Sequence, residues 1–301
     1  MTALPAVLVL GCSYGLLVAA KALAAGAAVT VVGRRDEVEA IGRGGIQVEV
    51  PGGPGAPTIV LDSARLPGTF RACEPEGADV AAHDLVALAM QEPQFGHPAM
   101  RGLLGRIAAS GRPCLSAMNM PPPYLRRIAS FATLDLHGCH AAPEAWADLS
   151  PRLLTACSPD PQAARPPGGG RGALRVGLAS NLRAAPFDDP GATGTLRRLA
   201  AAINEARLPE RGRRLAISMR LRVGESLFVP LSKWSVLMAG NYRAVEEAGA
   251  RPIRAAVLDG LRLGERPPAG LGRPARRPRA LRSLRAPPRP PRAHPPSRSP
   301  S

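Results

Sequence analysis

Lysine is nearly missing from this chain. Of 39 basic residues only two, Lys21 and Lys233, are lysine, and the rest are arginine. Aromatic residues make up 3%, so a core has to be built mainly from Ala, Leu and Val. The same scarcity removes the stacking surfaces on which single-stranded nucleic acids are usually held. The five cysteines (Cys12, Cys73, Cys114, Cys139 and Cys157) are odd in number, widely spaced and free of any CxxC pair. That argues against a disulfide framework and fits a reducing, cytoplasmic compartment. A metal site is not expected either. The stretch Asp135 to His140 carries ligand types, but no second cluster stands at a recognised spacing.

Long apolar runs are also lacking. Residues 3–20 carry no charge, but Pro5, Gly11, Ser13 and Gly15 punctuate them and Lys21 ends them. A membrane helix needs about 20 consecutive apolar residues. No basic segment precedes the run, as a secretory signal would require. Neither membrane insertion nor secretion is expected.

The net charge of +16 invites a nucleic-acid reading. Its distribution weakens that reading. Residues 266–301 hold ten arginines, eleven prolines and no acid, and setting those ten charges aside leaves +6 for residues 1–265. Such a tail buries too little apolar surface to order itself. Any attraction to phosphate would be salt-dependent and unspecific, so specific nucleic-acid recognition is not expected.

A chain of 301 residues has room for two domains. "PAVLVL" (5–10) reads as a buried strand, "GCSYG" as a tight turn, "LLVAAKALAAG" as a helix closed at Gly26, and "AVTVVG" as a second buried strand. Strand, glycine turn, helix and strand within about 30 residues make the first unit of a parallel α/β sheet. Further along, "DEVEAIGRGG" reads as a helix, and "IQVEV" and "TIVLD" as strands. "HDLVALAM" reads as a buried strand, "AMRGLLGRIAAS" as a helix and "PCLSAMN" as a strand. Residues 158–172 read as a loop, "ALRVGLA" as a strand, "PGATGTLRRLAAAINEAR" as a helix and "RLAISMRLRVG" as one strand or two. The expected division is a Rossmann-like domain over 1–210, a short partial helical domain over 211–264 and a disordered Arg/Pro-rich tail over 265–301.

The turn Gly11-Cys12-Ser13-Tyr14-Gly15 stands where a dinucleotide fold carries G-x-G-x-x-G. There the glycines let the backbone approach a pyrophosphate seated on the helix N-terminus. This chain offers G-x-S-x-G instead, with Ser13 at the second glycine and Gly15 one place early. An ordinary strand-to-helix turn remains the alternative. Arg34 follows the second strand, where a basic residue accommodates the 2′-phosphate of NADP. Asp36 is close behind, and a solvated surface pair is the alternative. Gly11, Gln91 and Asn119 all fall at carboxyl ends of expected strands, where ligands bind in open α/β sheets. Lys233 lies in the apolar run "LSKWSVLMAGNYR". In a chain that otherwise uses arginine, it is a candidate for proton chemistry, because a partly buried lysine can change protonation state. A snorkelling side chain at a helix end is the alternative.

Taken in order, "VLVLGCSYGLLVAAKALAAGAAVTVVGRR", "DLVALAM" with Gln91, "LSAMN" and "LSKWSVLMAGN" resemble the ketopantoate reductase family over roughly residues 5–255. The resemblance implies a Rossmann domain followed by a helical domain, as in 6-phosphogluconate-dehydrogenase-like proteins, with NADPH and a 2-keto acid meeting between them. It implies cofactor contacts from Gly11, Ser13, Gly15, Arg34, Gln91 and Asn119. It also implies Lys233 as general acid toward the ketone, with Asn119 and Asn241 orienting the substrate by hydrogen bonds, and a homodimer. Eight residues turn a helix by about 800°, so Lys233 and Asn241 need not share one narrow face. The chain departs from the family at its end. No serine or glutamate matches the family's late substrate-pocket residues, and Arg/Pro-rich sequence begins near residue 260. Sequence of that kind is what an alternate frame of GC-rich DNA gives, so a shifted reading frame is the expectation there.

Overall fold

The computed structural model describes residues 3–51, 57–117, 141–157, 163–177, 181–210, 213–216 and 220–224. Its centre is a six-stranded sheet in which every neighbouring pair is parallel. β1 (Val7–Leu10) leads through α1 (Gly15–Ala24) to β2 (Val29–Val32) beside it. α2 (Arg35–Gly44), a hairpin of β3 (Gln47–Val50) and β4 (Ile59–Asp62), and then β5 (Phe70–Cys73) follow, with β5 beyond β2. The chain then returns to the other side of β1 as β6 (Leu85–Leu88) and continues through α3 (Pro98–Ser110) to β7 (Cys114–Ser116) and β8 (Leu154–Ala156). The order β5-β2-β1-β6-β7-β8 is the doubly wound 3-2-1-4-5-6 arrangement. The Rossmann-like α/β expectation is therefore met.

The reason lies in the side chains of the strands. All four residues of β1 and of β6 are buried, as continuous apolar strands must be when both faces of a parallel sheet are covered. Val7, Val9 and Val31 pack on one face with Leu16, Leu17, Ala20 and Leu23 of α1. Leu8, Leu10, Val86 and Leu88 pack on the other with Met100, Leu103, Leu104 and Ile107 of α3. Phe95 and Trp146 close that second layer with ring centroids 4.8 Å apart. The Glu92 carboxylate accepts from the Ala141 and Ala142 amides and from Trp146 Nε1, at 2.9, 3.0 and 3.3 Å.

A second sheet has the order β4-β3-β10-β9, with β9 at Ala163–Ala164 and β10 at Ala173–Val176. It adds Ile46, Val48, Leu61, Leu174 and Val176 to the layer under α1. Residues 158–172 are thus more than a loop: Ala163 and Ala164 pair antiparallel with Val176 and Arg175. The pattern could not show this because a two-residue strand has no periodicity to read.

Beyond β10, β11 (Leu182–Ala184) is joined to the main sheet through Cys157. α4 (Pro190–Glu205) begins with Asp189 Oδ1 accepting the Ala192 amide at 2.6 Å and Pro190 at its first position. β12 (Arg207–Glu210) and β13 (Arg213–Ala216) form an antiparallel pair, and β14 (Leu221–Val223) runs parallel to β11. The stretch 214–224 therefore carries two strands. The helical segment expected after residue 224 and the Arg/Pro-rich tail lie outside the described residues. No helix among the described residues is long and apolar enough to cross a membrane.

Candidate functional site

Strand order reverses between β1 and β6, so a crevice opens at their carboxyl ends, where ligands bind in sheets of this kind. Gly11 is the first residue past β1. Its φ of 118° is a conformation that L side chains rarely adopt, and an added Cβ would come 2.8 Å from the Ala89 carbonyl oxygen just past β6. Its amide donates to Val32 O at 2.9 Å, which ties the turn to the end of β2. Gly15, the first residue of α1, sits so close that a Cβ would lie 2.8 Å from Val9 Cγ1. The two glycines do the work of the outer glycines of the dinucleotide motif, a sharp turn and close helix–sheet packing, although Gly15 stands one place early.

Between them, Ser13 is exposed and Tyr14 half-buried. Among the described residues, the amides of Ser13, Tyr14 and Gly15 find no backbone acceptor. No side chain caps α1 and no acid stands in its first turn. Donors of this kind and the positive end of a helix dipole are suited to an anion.

Cys12 turns inward, with Sγ 3.7 Å from Val32 O. A Cβ on Gly33 would overlap that sulfur. Burial, reinforced by the Glu37 carboxylate, pushes the Cys12 thiol up to about 12, so it stays a neutral packing group. Neither this role nor that of Gly33 is visible in the glycine motif.

Arg34 follows Gly33 and precedes α2. Its amide donates to Glu37 Oε2 at 3.1 Å. Its guanidinium reaches Asp36 Oδ1 and Glu37 Oε1, both at 3.5 Å, and remains 69% exposed. Gln91 is exposed at the loop after β6, its amide donating to Gln94 Oε1 at 2.9 Å. The structure thus brings Gly11, Ser13, Gly15 and the loop bearing Gln91 to one end of the sheet, with Arg34 at the end of the adjacent strand. Asn119, Lys233 and Asn241 lie outside the described residues, as does the stretch Asp135 to His140. Among the described residues, no group of three or more His, Cys, Asp or Glu could hold a metal ion.

The surfaces present fit a dinucleotide phosphate: a backbone turn that a Cβ would fill, uncapped amides at α1, and a guanidinium at the end of β2. No family model and no curated protein matches the chain. Solved structures do. A candidate ketopantoate reductase from Ralstonia solanacearum MolK2 superposes with a TM-score of 0.56 at 18% identity, over 87% of this chain and 76% of that one. A candidate 2-dehydropantoate 2-reductase from Enterococcus faecalis gives 0.49 at 13% identity, over 84% and 70%. D-mandelate dehydrogenase with NADH and anilino(oxo)acetate gives 0.47 at 12%, over 76% and 60%. At such identities the likeness establishes architecture: the chain shares with the Ralstonia structure a Rossmann-like α/β fold.

Proposed function

We propose that this chain is an NADPH-dependent reductase of a 2-keto acid, ketopantoate-like in substrate class, working in the cytoplasm. One observation carries the reading. At the reversal of strand order, Gly11 at φ 118° clears the approach to the uncapped amides of α1, with Arg34 at the end of the adjacent strand. In this reading Gly11, Ser13 and Gly15 hold the pyrophosphate through backbone amides, and Arg34 takes the 2′-phosphate. Gln91 and Asn119 flank the nicotinamide end. Bound NADPH supplies a hydride to the carbonyl carbon. Lys233 delivers a proton from Nζ to the carbonyl oxygen, and Asn119 and Asn241 orient the ketone and carboxylate by hydrogen bonds. The division into a dinucleotide domain, a partial helical segment and a tail from residue 265 belongs to the same proposal, as does a homodimer; because β13 and β14 occupy Arg213–Ala216 and Leu221–Val223, the helical segment begins after β14 and not at residue 211.

The test is a fluorescence titration with NADPH and NADH, repeated with Arg34→Glu, followed by a panel of 2-keto acids with Lys233→Ala. The reading expects NADPH to bind more tightly than NADH, Arg34→Glu to abolish that preference, and Lys233→Ala to lower kcat by roughly 100-fold or more. Binding without turnover on any carbonyl would leave a non-catalytic NADP-binding protein. Folded protein that binds neither cofactor would end the reductase reading.

A further inference from the structure

We propose that Arg171 is a second specificity-determining residue for the cofactor, sharing the 2′-phosphate with Arg34 across Asp36. This rests on the reading of the β1/β2 end as an NADPH site. Asp36 forms ion pairs with two guanidiniums at once. Arg171 Nη2 lies 2.6 Å from Oδ2, and Arg34 Nε lies 3.5 Å from Oδ1. A single carboxylate therefore holds two cations together at the end of β2, where a 2′-phosphate belongs. Two other arginines nearby are engaged elsewhere. Arg35 pairs with Glu39 at 3.3 Å, and Arg175 pairs with Glu49 along the β10–β3 register.

The base of Arg171 is held in place. Two turns precede β10, closed by Gly169 N to Pro166 O at 2.9 Å and Ala173 N to Gly170 O at 3.0 Å. Gly172, next to Arg171, accepts the Gln47 amide at 2.9 Å and leaves no room for a Cβ against the Gly45 carbonyl. The arginine thus hangs from a backbone stitched to β3 while its head reaches the first turn of α2.

The chemistry favours exchange. Arg34, Asp36 and Arg171 are 69%, 49% and 40% exposed, and ion pairs in that setting are weak. A phosphate carries more charge and more acceptor oxygens than a carboxylate, and guanidinium forks bind it with two parallel bonds. On binding, the phosphate takes over the two guanidiniums and Asp36 turns out to solvent. Asp36 then acts as a competitor for both cations and Glu37 for Arg34 alone, so NADPH affinity is set by the balance of the two arginines against these acids.

The experiment is a fluorescence titration of the full chain with NADPH and NADH, for the natural sequence, Arg171→Ala, Arg34→Glu and Asp36→Asn. Arg171→Ala is expected to weaken NADPH by roughly fivefold, as loss of one charge-assisted contact does, with NADH changed by less than about twofold. Asp36→Asn is expected to tighten NADPH. The NADH arm also serves as the check on folding. If Arg171→Ala binds NADPH as the natural sequence does while Arg34→Glu loses it, the Arg171 inference is wrong and the cofactor reading stands. Equal weakening of both cofactors by Arg171→Ala makes the residue a support of the loop and overturns its role in specificity. If the natural sequence binds neither cofactor, both readings fall.

Discussion

Cys12 and Cys114 are thiols that the fold keeps protonated. Burial raises both to about 12, with Glu37 adding to the effect at Cys12, and burial also raises the half-exposed Cys73. An unfolded chain releases these protons near 9, the ordinary value for the group. Between about 9 and 12 the folded state therefore binds more protons than the unfolded one, and stability falls as pH rises through that window. Below 9 the contribution is complete. Urea midpoints at pH 8 and pH 10.5 should show a fall that is smaller when both residues are alanine, and an equal fall would contradict the argument. The thiolate is the reactive form, so alkylation at pH 8 should reach Cys73 well before Cys12 or Cys114. At this scale the glycine turn was legible because φ above zero at a strand end favours glycine. Packing of Gly33 against Cys12 was not, since motif spacing says nothing about which neighbour fills the space left by a missing Cβ.

The elements themselves were read from two signals. Apolar runs marked β1, β2 and β6, and a stop residue marked the end of one helix: Gly26 has φ of 92° just past α1. What the pattern could not supply was the joining of short strands. β14 is held to α4 by a reciprocal pair, Asn204 Nδ2 to Leu221 O at 2.8 Å and Leu221 N to Asn204 Oδ1 at 2.9 Å. Asn204 therefore does for β14 what a neighbouring strand would do, on the side away from β11. Asn204→Ala leaves the Leu221 amide and carbonyl without these partners and should cost about 1–3 kcal/mol. A chemical-denaturation midpoint would measure it. Amide exchange at Leu221 should rise at the same time, and unchanged exchange there would mean that the pair does not hold the strand.

For the whole molecule, the candidate site joins turns from separate parts of the chain across strands β6, β1 and β2. A ligand that seats there binds the folded state alone, so saturation should stabilise the entire domain. At 100 times its Kd, NADPH should add about 2.7 kcal/mol and raise the thermal midpoint by roughly 5–10 °C, and NADH at the same concentration should do less. Equal shifts would remove the preference assigned to Arg34. The sequence by itself determined the parallel sheet, because uninterrupted Val/Leu strands alternating with Ala/Leu helices bury both faces when helices cover a parallel sheet on either side. It also determined the strand-end positions of Gly11 and Arg34, which follow from where an apolar run stops. Only the tertiary structure decided that the loop before β10 returns to α2 and sets Arg171 on Asp36. That meeting depends on β3 pairing with β10, and backbone pairing between distant segments leaves no trace in local periodicity.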